Sequence, residues 1–150
     1  MVSSLTSRDR FPASPTLRPA LPGTIADMPT SVLVVDDDAA FRALAVRILE
    51  GMGLSVVGEA ETAKEAAATA RKRRPQAALV DVSLPDGNGI TLAGELAALP
   101  WRPRIILTSS DGEAVTERGA RAVGAAAFIA KHDLPDGRLR ALLTGRPQSE

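Results

Sequence analysis

The sequence predicts an α/β domain, a doubly wound parallel sheet of five strands covered by helices. Three observations predict it. Short apolar runs alternate with segments of helical period from about residue 31 to 143. The first of these runs, Val32 to Val35, is continuously apolar, as in strands buried on both faces. The links between runs are short, which suits repeated βα units and the right-handed crossovers of a parallel sheet.

The elements follow in order. Val32 to Val35 is the first strand, and Phe41, Leu44, Ala45, Ile48 and Leu49 repeat at helical spacing behind it. An aspartate before them can cap that helix, and Gly51 and Gly53 can end it. Leu54 to Val57 is the second strand. Thr62 and Glu65 form a capping box that opens an Ala-rich helix, closed by Arg71 to Arg74 and Pro75. Ala77 to Val82 is the third strand, followed by a turn over 85–89 and a short helix over Ile90 to Leu99. Arg104 to Leu107 is the fourth strand. Ser110 and Glu113 read as a second capping box, opening a helix that ends near Val123. Ala126 to Ile129 is the fifth strand, and Pro135 to Leu143 the last helix.

The 150 residues divide into an N-terminal tail over 1–30, one domain over 31–144, and a frayed end over 145–150. The tail is rich in Pro, Ser and Thr without periodicity, which predicts disorder. Met28 directly precedes the first strand and is a candidate translation start, the alternative being a genuine flexible extension. The tail does not read as a secretory signal, and no room is expected for an output module after the last helix.

Composition narrows the chemistry. Net charge is zero, so no bulk field draws the chain to nucleic acid or anionic lipid. No cysteine is present, which excludes disulfides, thiolate catalysis and cysteine-bound zinc and fits a cytoplasmic location. The lone histidine, His132, cannot build a multi-histidine metal site. No apolar run spans a bilayer.

The strand ends carry the informative residues. Asp36, Asp37 and Asp38 follow the first strand, Asp81 ends the third, Thr108 ends the fourth, and Lys131 follows the fifth. In the order 2-1-3-4-5, strands one and three meet at the switch point, where ligands bind beyond the C-terminal strand ends. Adjacent strands are about 4.8 Å apart, so Asp36, Asp37 and Asp81 should share one coordination shell. Carboxylates that close repel unless a cation joins them, and an all-oxygen set favours Mg²⁺. A carboxylate nucleophile, a metal, a hydroxyl and an ammonium together suit phosphoryl transfer onto an aspartate.

The segments VLVVDDD (32–38), LVDVSLPDGNG (79–89), IILTSS (105–110) and GAAAFIAK (124–131) resemble the receiver domain of two-component response regulators. The resemblance implies a flavodoxin-like fold for residues 31–144. It implies Asp81 as phosphoacceptor and a Mg²⁺ cofactor held by Asp36, Asp37, Asp81 and the backbone carbonyl of Ser83. Asp37 would bind the metal directly and Asp36 largely through water. Thr108 is the implied switch hydroxyl, Phe128 the aromatic switch position, and Lys131 the partner of the phosphoryl group. Ser83 and Ser110 flank the site where the family tunes acyl-phosphate lifetime. The implied partners are a sensor histidine kinase or histidine phosphotransfer protein upstream. Downstream they are an effector protein or a homodimer through the helix 4–strand 5–helix 5 face. No DNA or membrane contact is expected, nor turnover catalysis.

One departure stands out. Many receivers have Lys-Pro after the fifth strand, where this chain has Lys131-His132. A cis bond before a non-proline residue costs about 2.5–4 kcal/mol, so a trans bond is expected. Plainer readings compete at several positions. Asp38 reads better as a helix cap than as a ligand. The basic run Arg71 to Arg74 reads as a complement to a helix dipole and not as a nucleic-acid contact. A pseudo-receiver that binds partners without phosphorylation is the alternative function, although such modules usually lose an acidic residue or the lysine, and this chain retains them all. A small flavodoxin-like or nucleotide-binding protein would want a glycine-rich loop where the three aspartates stand.

Overall fold

A computed structural model describes residues 28–135 and 137–145. The predicted disordered tail, apart from 28–30, and the last five residues of the predicted frayed end lie outside the described residues. The strands are β1 (Ser31–Val35), β2 (Ser55–Ala60), β3 (Ala77–Asp81), β4 (Arg104–Ser109) and β5 (Ala127–Ala130). The helices are α1 (Ala39–Gly51), α2 (Ala63–Arg73), α3 (Gly89–Ala97), α4 (Glu117–Ala122) and α5 (Leu139–Thr144). The five strands pair in parallel in the order β2-β1-β3-β4-β5, the doubly wound arrangement the sequence predicts.

Side-chain alternation along the buried strands feeds two cores. Leu33, Val35, Val80 and Leu107 pack against Ala66 and Ala70 of α2, Leu92 and Leu96 of α3, and Ala120 of α4. Val32, Val34, Leu79 and Ile106 pack against Ala45 and Leu49 of α1 and Leu139 and Leu143 of α5. Both faces are therefore covered, which explains the continuous apolar runs.

Local chemistry sets most helix starts. Asp38 Oδ1 accepts from the N–H groups of Ala40 and Phe41 and caps α1. Thr62 Oγ1 accepts from Glu65 N–H, while Glu65 reaches back to the N–H of Glu61. Three boundaries differ from expectation. The Ser110–Glu113 box opens no helix, because Asp111 Oδ1 takes the N–H of Glu113 in a local turn, the backbone alternative that short acidic side chains offer. Instead α4 starts at Glu117 behind Thr116, whose hydroxyl accepts from Gly119 N–H. The last helix begins at Leu139, not Pro135; before it, Lys131–Asp133 forms a 3₁₀ turn that delivers Leu134 to the core. Gly145, in the left-handed region at φ 71°, closes α5. The second strand also runs on to Ala60, since its outer end stays paired with Val35.

Candidate functional site

The site lies at the C-terminal ends of β1, β3, β4 and β5. Register places it there: Val35 pairs with Val80, and Asp81 pairs with Thr108. Asp36 and Asp81 each fall one alternation beyond a residue of the α1/α5 core, so both carboxylates emerge on that face, as does Thr108. Asp36, Asp81 and Thr108 are buried, whereas Asp37 is exposed.

Asp36, Asp37 and Asp81 bring one carboxylate oxygen each within 4.8 Å of one another. Short backbone contacts aim two of them. Asp36 Oδ1 accepts from Asp38 N–H at 2.8 Å, and Asp81 Oδ1 accepts from Ser83 N–H at 3.2 Å. The remaining oxygens face the Lys131 ammonium, whose Nζ lies 2.6 Å from Asp36 Oδ2 and 3.3 Å from Asp81 Oδ2. The first contact is an ion pair by distance only: Asp36 Oδ2 is buried and takes no hydrogen bond of regular geometry among the described residues. A buried, incompletely satisfied carboxylate oxygen in an all-oxygen cluster fits a small hard cation such as Mg²⁺.

Electrostatics follow from this crowding. Burial pushes the Asp81 carboxyl above the usual carboxylate range, and the neighbouring Asp36 charge pushes the same way. The Ser83 N–H and Lys131 oppose them without prevailing. For Lys131, burial by itself would lower the ammonium. The carboxylates of Asp36 and Asp81 outweigh it, so the group sits above its ordinary value and stays charged.

The structure unites Asp36, Asp37, Asp81 and Lys131, with Thr108 beside Asp81 in the sheet. The Thr108 hydroxyl has no hydrogen-bond partner among the described residues, so it is free to take one. Phe128 is not brought to the carboxylates. It pairs in register with Leu107 and packs, half-buried, on the α2/α3/α4 side of the sheet. Ser83 lies in a two-residue strand with Leu84, antiparallel to Gly87–Asn88. The bond between Lys131 and His132 is trans.

Three contributors escape a reading of the sequence. The ring of Phe41 lies 4.5 Å from the Lys131 ammonium, a cation–π contact from a residue that periodicity marks only as core. Arg42 Nη1 donates to the backbone carbonyl of Asp36 at 2.7 Å and pairs with Glu59 and Glu61, tying the acidic loop to the end of β2. Gly89 is the third. A Cβ there would stand 1.8 Å from the carbonyl oxygen of Asp81, so only glycine lets α3 start so close to the end of β3. The Gly-Asn-Gly turn was the one available signal for it.

Residues 32–143 match the response regulator receiver domain family, and the chain belongs to it. Among curated relatives, the transcriptional regulatory protein PdtaR of Mycobacterium tuberculosis is 35% identical over 112 residues, covering 73% of this chain and 54% of that protein. The chemotaxis protein CheY of Bacillus subtilis is 32% identical over 111 residues, covering 74% of this chain and 92% of that protein. The chain thus spans about half the length of the first of these and nearly all of the second. Among solved structures, a response regulator from Burkholderia pseudomallei with a phosphorylated aspartic acid, calcium ion and citrate is 28% identical. It aligns with a TM-score of 0.66, covering 76% of this chain and 66% of that one. No helix among the described residues is long and apolar enough to cross a membrane.

Proposed function

We propose that this receiver accepts a phosphoryl group on Asp81 in a Mg²⁺-dependent reaction and uses the change to alter partner binding. One observation carries the reading: three carboxylates and an ammonium meet at one rim although helix capping requires none of them. Asp38 alone does the capping, through its bonds to Ala40 and Phe41 N–H. What remains, Asp36, Asp37 and Asp81 with Lys131, is a crowding of charge that carries a structural cost and that helix capping does not explain.

Asp36, Asp37 and Asp81, with the Ser83 carbonyl, are the residues that would hold Mg²⁺. Bound there, the ion would neutralise phosphoryl charge and align the group for displacement. A carboxylate oxygen of Asp81 attacks phosphorus, the bond to the donor histidine nitrogen breaks, and the acyl phosphate forms. Lys131 exchanges its carboxylate contacts for a phosphoryl oxygen, and the unpartnered Thr108 hydroxyl donates to another. Phe128, three residues before Lys131 on the other side of the sheet, repacks as β5 adjusts. The phosphodonor is a sensor histidine kinase or a histidine phosphotransfer protein. The readout is an effector, or a second copy, docking on the α4–β5–α5 face. The residues act on one bound phosphoryl group at a time, as a cytoplasmic signalling switch and not a turnover enzyme.

The test is incubation with a small-molecule phosphodonor and Mg²⁺, read by intact mass. Wild type should gain one phosphoryl group, and none when Mg²⁺ is chelated beforehand. Asp81→Asn should gain none, and labelling of that variant at the wild-type level would overturn the assignment.

A further inference from the structure

At the opposite end of the sheet lies a second constellation that phosphoacceptance does not use. Arg74, Gln76, Trp101, Arg102 and Arg104 line an open pocket of about 370 Å³ at the N-terminal ends of β3 and β4. Five residues of strand at about 3.3 Å each separate it from Asp81. Three of its five lining residues are arginines and none is acidic. None of those arginines has a carboxylate partner among the described residues.

The walls are held in place by bonds that leave these donors free. Trp101 Nε1 donates to the carbonyl of Pro75 at 2.9 Å, which fixes the indole. The Arg74 guanidinium stacks over that ring at 4.6 Å, an arrangement that orients the plane while its N–H groups remain available. Gln76 Oε1 accepts from the Ser31 N–H and hydroxyl, and the amide NH₂ has no partner among the described residues. Arg104 is backed by the end of α5, where a Cβ on Gly145 would collide with the guanidinium. The backbone fixes where two of these arginines emerge. Arg74 (φ 48°) ends α2 as its left-handed C-cap, and Arg102 (φ 49°) also lies at positive φ.

We propose that this pocket binds a small phosphate-bearing anion, the phosphate chain of a di- or triphosphate, free or within a nucleotide. Unpaired planar guanidinium forks match phosphate oxygens, and the volume suits a small molecule. The basic run ending at Arg74 then has a role beyond complementing the dipole of α2.

The chain has one tryptophan and no tyrosine, so its intrinsic emission reports this pocket alone. The experiment titrates full-length protein with inorganic pyrophosphate, with ATP, with sodium sulfate at matched ionic strength, and with a single-stranded RNA oligonucleotide. Tryptophan fluorescence and the indole N–H resonance are followed. Saturable binding of pyrophosphate or ATP but not sulfate is expected. Tighter binding of ATP would assign the site to nucleotides, and equal binding to the phosphate chain itself. The double variant R102G/R104A, which keeps the left-handed backbone at 102 accessible, should weaken binding by about tenfold or more. Labelling of Asp81 by the phosphodonor should be unchanged in it. No saturable response, an unchanged affinity in the double variant, or a response to RNA alone would each overturn the proposal.

Discussion

The two sides of the rim around Asp81 are built by different forces. On the β1 and β3 side, Asp36 and Asp81 are each aimed by a backbone N–H two residues further along, and Gly89 lets α3 close over the end of β3. On the β4 and β5 side, among the described residues, Thr108 has an unbonded hydroxyl, and Lys131 is positioned by two carboxylates and the Phe41 ring without a backbone acceptor. The flanking helices follow the same division: α1 and α2 span 13 and 11 residues, whereas α4 and α5 span 6 each. If Asp81 is phosphorylated as proposed, the added charge acts first on the cationic side, which charge alone holds in place.

Four substitutions probe that contrast. Gly89→Ala strikes the fixed side hardest. Its Cβ meets backbone and not a pliable side chain, so a loss of about 3 kcal/mol in denaturant unfolding is expected, with impaired phosphorylation. Lys131→Met strikes the charge-held side. It leaves Asp36 and Asp81 facing each other uncompensated and should cost about 2 kcal/mol, a value that Mg²⁺ partly restores.

Asp81→Asn should act in the opposite direction and stabilise the metal-free protein by about 1 kcal/mol at neutral pH. Because burial and Asp36 raise the folded-state pKa of Asp81, the folded state holds its proton more tightly than the unfolded state. Stability therefore falls as pH rises through the unfolded and then the folded pKa. Thermal melts of variant and wild type should converge as pH is lowered below that window, and a gap that widens in acid would refute the assignment. Smallest of all, Asp86→Ala removes the acceptor for Ala63 and Lys64 N–H that ties the hairpin to α2. Those bonds lower the Asp86 pKa, so its contribution exists above the unfolded carboxylate pKa and fades as pH falls through the folded one. A slight drop in melting temperature at neutral pH, absent in strong acid, is expected.

Legibility in the sequence tracks the same division. Asp36, Asp37, Asp81 and Lys131 could be placed because each follows a continuous apolar run, and sheet topology converts sequence position into proximity. The α4 and α5 starts could not. Asp111 diverts its own backbone into a turn, and the 3₁₀ turn over Lys131–Asp133 is too short to leave a periodic signal. The ring of Phe41 over Lys131, the reach of Asp86 to α2, and the pairing of Arg74 with Trp101 are long-range meetings with no local signature. Periodicity had already committed Phe41 to the core, and it does pack there as well.

The shortest of the five sheet strands is the one that leads to the cation. In β5, Phe128 rests on the α2/α3/α4 layer while its neighbour Ile129 is buried in the α1/α5 layer, and Lys131 follows directly at the rim. Both helical layers therefore pack against the same four-residue strand, so a displacement of the lysine would press on two outer surfaces at once.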